Sequence, residues 1–466
     1  MPAVDVHIAT SDDPVAPRHD ETTGELHPAV DGSGPDDAAA AAVELAGRIA
    51  DDRRLAVALD AWRQQTTLPY GWGHASLLTG LAGPAVLYRA VARTTGDDRW
   101  LGRARGALAA AARSTAEAPL RGPGTDGAGG LLLAVADAAA EDTAYLPSLH
   151  VLATRTAEHV AELPRTDPRG QGESAIDVVA GRAGAVVGLV AALRADPDEE
   201  RVRRAVEDAV ADLVRSCPPH APGPAGHLAV RAGAGEAVDR ASLNPHGHVD
   251  LGVAHGVPGV LGALAAASSA GLEVPGLADA VRALVDLVLL SAVHDSRGPT
   301  WTSTAGTAPD GTLLPADEHP ARPGWCYGSP GVAAALASAG RALDDHQVRH
   351  EALRALGAEM ARGSFDRGLS SPTLCHGTAG MLASALATAS STGADVAREA
   401  TVRARRALLR SLDPAAPLGV RDEEVPGVRV DNPGLLCGAA GVALVLLDAA
   451  APHDGPLTTA RLLALV

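Results

Sequence analysis

Seven times along the chain a Gly-x-x-Gly opens a short stretch in which nearly every position is apolar. The copies read "GLAGPAVLY" from Gly80, "GAGGLLLAVADAA" from Gly127, "GRAGAVVGLVAAL" from Gly181 and "GVPGVLGALAAA" from Gly256. "GSPGVAAALASA" from Gly328, "GTAGMLASALATA" from Gly377 and "GAAGVALVLLDAA" from Gly438 complete the set. Successive first glycines are 47, 54, 75, 72, 49 and 61 residues apart, room for one more helix each time. Amphipathic, arginine-bearing segments fill those gaps at 98–117, 147–163, 197–216, 277–293, 340–362 and 393–411. A helix apolar on every side is buried, and one with a charged stripe lies outside. The alternation therefore predicts an all-α protein, a double-layered ring of about 14 helices with seven inner ones, an α/α toroid. An open solenoid would show the same repeat, but seven buried helices without evident polar caps favour closure. Residues 1–36 carry no periodicity and are expected to form a disordered tail, leaving 37–466 as a single toroidal domain.

Composition agrees with this picture. Apolar residues make up 46% of the 466-residue chain but aromatics only 2%, and small side chains at that density suit close-packed helices better than a sheet sandwich. A formal charge of −17 argues against nucleic acid, whose phosphates need clustered positive charge. The stretch "RARRALLR" (403–410) reads as the wet face of a helix. The N-terminus lacks the basic and apolar regions of a signal peptide. No run of about 20 residues is free of Gly, Pro and charge, so no membrane span is expected. Four cysteines, 217, 326, 375 and 437, do not read as a disulfide framework in so long a chain. They fit a cytoplasmic protein with metal-binding or reactive thiols.

Three of those cysteines fall in register. In a closed ring, equivalent positions of successive repeats converge at one mouth. Cys326 and Cys375 each stand two residues before a first glycine, while His255, His376 and Cys437 each stand one before; Asp177 stands four before Gly181. Two thiolates and one imidazole suit zinc, and three protein ligands leave the fourth position open, as in a catalytic site. Cys326, Cys375 and His376 are thus the expected metal ligands. Cys437 is left between a fourth ligand, which would close the site, and a bystander. Cys217, in "RSCPPH", belongs to no repeat and is expected to be incidental.

At these residues the chain resembles the lanthionine synthetase C-like family, the lanthipeptide cyclases. The resemblance rests on "WCYG", "CHGTAG", "LGVAHGVPG" and "DVVAGRAG", which occur in family order within a repeat covering roughly residues 40–460. It implies an α/α toroid with one zinc that closes thioether rings, adding a peptide cysteine thiol to dehydroalanine or dehydrobutyrine. Carried over, zinc would sit on Cys326, Cys375 and His376. His255 would be the acid/base, Asp177 its polar neighbour, and Arg322 the stabiliser of developing charge. Tyr327 matches a family position whose role is left open. Pro323, directly after Arg322, departs from the pattern. The implied partners are a dehydrated precursor peptide, whose basic parts the acidic surface would suit, and a separate dehydratase and exporter.

Plainer roles compete for single residues: a turn histidine for His255, a helix cap for Asp177 and a surface cation for Arg322. Among whole-protein rivals, a prenyltransferase subunit would need an aromatic-lined funnel that one Phe, four Tyr and five Trp cannot build. An α/α-barrel glycosidase would need an opposed carboxylate pair near the axis, yet the acidic runs at 196–200 and 422–424 lie away from the repeat starts and read as solvated. A non-catalytic zinc protein that binds a peptide or glutathione is the remaining alternative. It would have no use for His255.

Overall fold

The computed structural model describes residues 34–65, 72–120, 122–164, 172–220, 225–230, 244–315, 319–451 and 458–465. Most of the tail expected over residues 1–36 lies outside them; the first helix begins at Pro35.

The seven inner helices are Ala82–Thr95, Ala128–Ala139, Arg182–Ala195, Val257–Ser269, Ser329–Ala342, Thr378–Thr392 and Ala439–Ala450. Six begin on the residue after the repeat's first glycine; in the first repeat the start slips to Ala82. They are buried on all sides, and every residue of Ala128–Ala139 is inaccessible. The outer helices bury one stripe. Arg99–Ser114 covers only Ala104, Leu108 and Ala111, and Asp395–Ser411 packs through alanines and Leu408 while Arg398, Arg406 and Arg410 are exposed. Leu146–Glu162, Glu200–Val214, Leu277–Leu290 and His346–Ala361 complete the outer layer contributed by the gaps.

Each inner helix packs on the next, and the seventh packs on the first, so the ring closes. The seventh outer place is taken from the other end of the chain. Helix Pro35–Ile49 lays Ala38, Ala42, Leu45, Ala46 and Ile49 against Ala439–Ala450. The C-terminal segment goes inside. Leu462, Leu463, Ala464 and Leu465 are almost wholly buried; the short helix Thr459–Leu462 packs on the sixth and seventh inner helices, and the Trp325 indole N–H donates to the Leu463 carbonyl at 3.0 Å.

Backbone hydrogen bonds join the loops that precede the inner helices into a cyclic series. The N–H of Thr125 reaches the Val178 carbonyl, Val178 reaches Ala254, Val253 reaches Cys326, Cys326 reaches Cys375, Cys375 reaches Leu436, and Leu436 reaches Leu78, all within 2.8–3.1 Å. The last junction is made by side chains, the Ser76 hydroxyl donating to the Asp126 carboxylate. This series fixes which positions are equivalent. Cys326 and Cys375 share one ring of places; Tyr327, His376, Cys437 and His255 stand one residue further on.

Two small antiparallel ribbons, absent from the sequence expectation, occupy the two longest intervals. Strand β1 (His248–Asp250) pairs with β4 (Thr304–Gly306), and β2 (Val293–Asp295) pairs with β3 (Gly298–Thr300). The second is a hairpin made by its turn: Asp295 accepts the N–H groups of Arg297 and Gly298, and Gly298 takes φ 134°, a conformation open to glycine.

Candidate metal and acid–base site

The second glycine of each repeat positions the residues of interest. A Cβ built on Gly331 would run into the Trp325 carbonyl, one on Gly380 into Leu374, and one on Gly441 into Leu435. Without side chains there, the loop lies flat across the helix start and carries the next residue, Cys326, Cys375 or Leu436, over the mouth of the ring.

Cys375, His376 and Cys437 come together so that their sulfur and ring-nitrogen atoms lie within 4.8 Å of one another. Cys326 joins them through a hydrogen bond with Cys375. That bond pulls the Cys326 thiol below its usual range, against burial and with help from His376 and Arg322. The Cys375 thiol is pushed well up by its hydrogen bonds with Cys326 and Cys437 and by burial. Sulfurs this close cannot all ionise without a cation between them. Of the expected ligands, Cys375 and His376 are brought together with Cys437, and Cys326 joins them through its bond with Cys375. Cys217 is a buried thiol donating to the Leu213 carbonyl at 3.3 Å.

The reading of residues 422–424 as solvated is overturned. Asp422 is 2% exposed; its Oδ1 lies 2.9 Å from His376 Nε2 and accepts from the Ser371 and Thr373 hydroxyls at 2.7 and 3.0 Å. Glu424 Oε2 lies 2.8 Å from His376 Nδ1. Burial lowers the His376 pKa, but the two carboxylates outweigh it and raise the value to about 10. Glu424 is held below its usual range chiefly by His376. The loop from the last long outer helix folds back over the mouth, which the distance of these acids from Gly438 along the chain conceals.

On the neighbouring loops, His255 Nδ1 lies 2.7 Å from Asp177 Oδ2. The other oxygen of Asp177 accepts the N–H groups of Ala180 and Gly181 at 2.6 and 2.7 Å. Asp177 thus braces the turn that leads into helix Arg182–Ala195, without capping the helix itself, and is also the partner of His255. Its side chain is 2% exposed, against 36% for His255, so the imidazole is open on one side and anchored on the other. The Tyr327 hydroxyl donates to Asp250 Oδ2 at 2.8 Å. Arg322 is exposed, and its charge lowers the pKa of both Cys326 and Glu424.

Asp250, not singled out from the sequence, had a readable signal. Asp250, Ser371 and Asn432 each stand six residues before a first glycine, and each side chain accepts the N–H two residues on. In Asp250 the second oxygen is left to take Tyr327.

A closed double ring of helices with thiols and an imidazole at one mouth defines the class: an α/α toroid with a candidate metal centre. The lanthionine synthetase C-like protein family model matches residues 71–459, most of the chain, and the chain belongs to that family. Among solved structures it is similar to a nisin cyclase, with a TM-score of 0.70 and 18% sequence identity, covering 90% of this chain and 98% of that one. No curated protein sequence matches it.

Proposed function

We propose that this chain is a zinc-dependent lanthipeptide cyclase, closing (methyl)lanthionine rings by intramolecular addition of peptide cysteine thiolates to dehydroalanine or dehydrobutyrine. The observation that carries the reading is the pairing, on adjacent loops of one mouth, of a sulfur–imidazole cluster with an anchored, half-open histidine.

The donor set fits zinc. Soft thiolates and a borderline imidazole are its preferred ligands, and a buried carboxylate on the far nitrogen of a ligating histidine is the usual support for such a site. Cys326, Cys375 and His376 would hold the ion. Asp422, pinned by two hydroxyls, keeps its grip on Nε2. Glu424 is the more exposed carboxylate, so Nδ1 is the nitrogen it can release. When bound, zinc lowers the pKa of a substrate thiol, so that the sulfur attacks as thiolate at neutral pH.

The remaining work falls to the protein. Sulfur addition at Cβ of the dehydro residue places negative charge on the adjoining carbonyl oxygen, where the exposed guanidinium of Arg322 would stabilise it. The carbanionic Cα then needs a proton. His255 would supply it from Nε2, because Nδ1 is held by Asp177, and the proton released by the substrate thiol replaces the one given up. Tyr327, fixed by Asp250, borders the same space. The substrate is a dehydrated precursor peptide made by a separate dehydratase, in the cytoplasm; among the described residues no helix is long and apolar enough to cross a membrane. A purely structural zinc protein would not need the His255–Asp177 pair.

Incubation with a dehydrated precursor under reducing conditions, read as loss of alkylatable thiols, tests this directly, since ring closure leaves mass unchanged. His255→Asn is expected to retain zinc and slow closure by about 10²–10⁴-fold. Wild-type rates in that variant, or unchanged zinc affinity in Cys375→Ala, would overturn the assignment.

A further inference from the structure

Cys437 is unused by the reading above. It is 5% exposed, shares a hydrogen bond with the Cys375 thiol, and its sulfur lies within 4.8 Å of both Cys375 and the His376 ring. Its position is not adventitious. It occupies the place in the seventh repeat that His376 occupies in the sixth, and the bond from the Cys375 N–H to the Leu436 carbonyl, 3.0 Å, locks the two loops in register. Asn432 holds it from behind, donating to the Cys437 carbonyl at 2.5 Å while accepting the Gly434 N–H.

We propose that Cys437 is a third sulfur ligand to the metal, so that in the substrate-free protein four side chains, Cys326, Cys375, His376 and Cys437, complete the coordination. The inference rests on the zinc reading. A tetrahedral ion prefers four donors, and the Cys437 sulfur already lies within 4.8 Å of two of the three expected ligand atoms. Such a convergence of buried sulfurs and an imidazole on one point is what a cation between them would organise. The place that a substrate sulfur requires is then kept by a protein sulfur until substrate arrives, which protects the centre from water and from adventitious thiols.

The decisive measurement is X-ray absorption on the full-length zinc-loaded protein, reduced with a phosphine and free of substrate. The expected first shell is three sulfurs at about 2.3 Å and one nitrogen at about 2.0–2.1 Å. Two sulfurs with two light atoms would overturn the proposal while leaving the zinc reading intact. Protein that takes up no zinc would overturn both. Cobalt loading supplies a second readout: the sulfur-to-cobalt charge-transfer intensity should fall by about one third in Cys437→Ala, with one metal still bound, and stay unchanged in Cys217→Ala. Equal intensity in wild type and Cys437→Ala would count against the assignment.

Discussion

The behaviour of single residues at the mouth is decided by their partners. Asp422 has three oxygen or nitrogen neighbours on one carboxylate oxygen, Ser371, Thr373 and His376. It therefore sets the orientation of the imidazole. Asp422→Asn keeps the shape but loses the charge and offers an amide that must turn its oxygen toward His376. Zinc affinity should fall about 10–100-fold, measured by competition with a chromophoric chelator; an unchanged affinity would remove Asp422 from the site. The candidate ligands and His255 could be singled out in the sequence because they stand one or two residues before repeated glycines. Asp422 and Glu424 were not, since no period connects them to Gly438 and acidic runs are ordinarily solvated. Their burial follows from a loop folding back, a long-range event without a local pattern.

At the scale of the element, the repeat works through its second glycine. The close approach of the Trp325 carbonyl to Gly331 leaves no room for a methyl, and the obstructing atom belongs to backbone that carries Cys326 on its next residue. Gly331→Ala should destabilise the fold by about 1–3 kcal/mol and weaken zinc binding together with it. Thermal melts with and without zinc would show both effects, and a variant with wild-type melting would refute the packing role. The inner helices were readable because burial on all sides erases the polar stripe. The two ribbons were not. Three-residue strands give no alternation long enough to see, and what makes the second of them is one aspartate turn at Asp295.

On the scale of the whole molecule, closure depends on the two ends of the chain. Helix Pro35–Ile49 is the outer partner of the last inner helix, and its Leu45 and Ile49 are 3% and 2% exposed. Burying such a side chain contributes about 1.5–3 kcal/mol, and a domain is stable by only about 5–15 kcal/mol. Deleting residues 1–50 should therefore abolish a cooperative melt and bare the apolar face of Ala439–Ala450 to a hydrophobic dye. A truncated protein that melts as sharply as the full chain would show that the ring closes without this helix.

Periodicity alone determined that this chain would alternate buried and amphipathic helices, and that Cys326, Cys375, His376, Cys437 and His255 would each stand one or two residues before a repeated glycine. Both are local properties, set by the side chains within a turn or two of each glycine. Only the tertiary structure decided that the N-terminal helix would complete the outer ring, that the C-terminal leucines would enter its interior, and that Asp422, Glu424 and Asp250 would stand behind the functional groups. Those outcomes depend on contacts between segments far apart in the chain, where the gain from burying apolar surface or satisfying a buried carboxylate is settled by the whole fold.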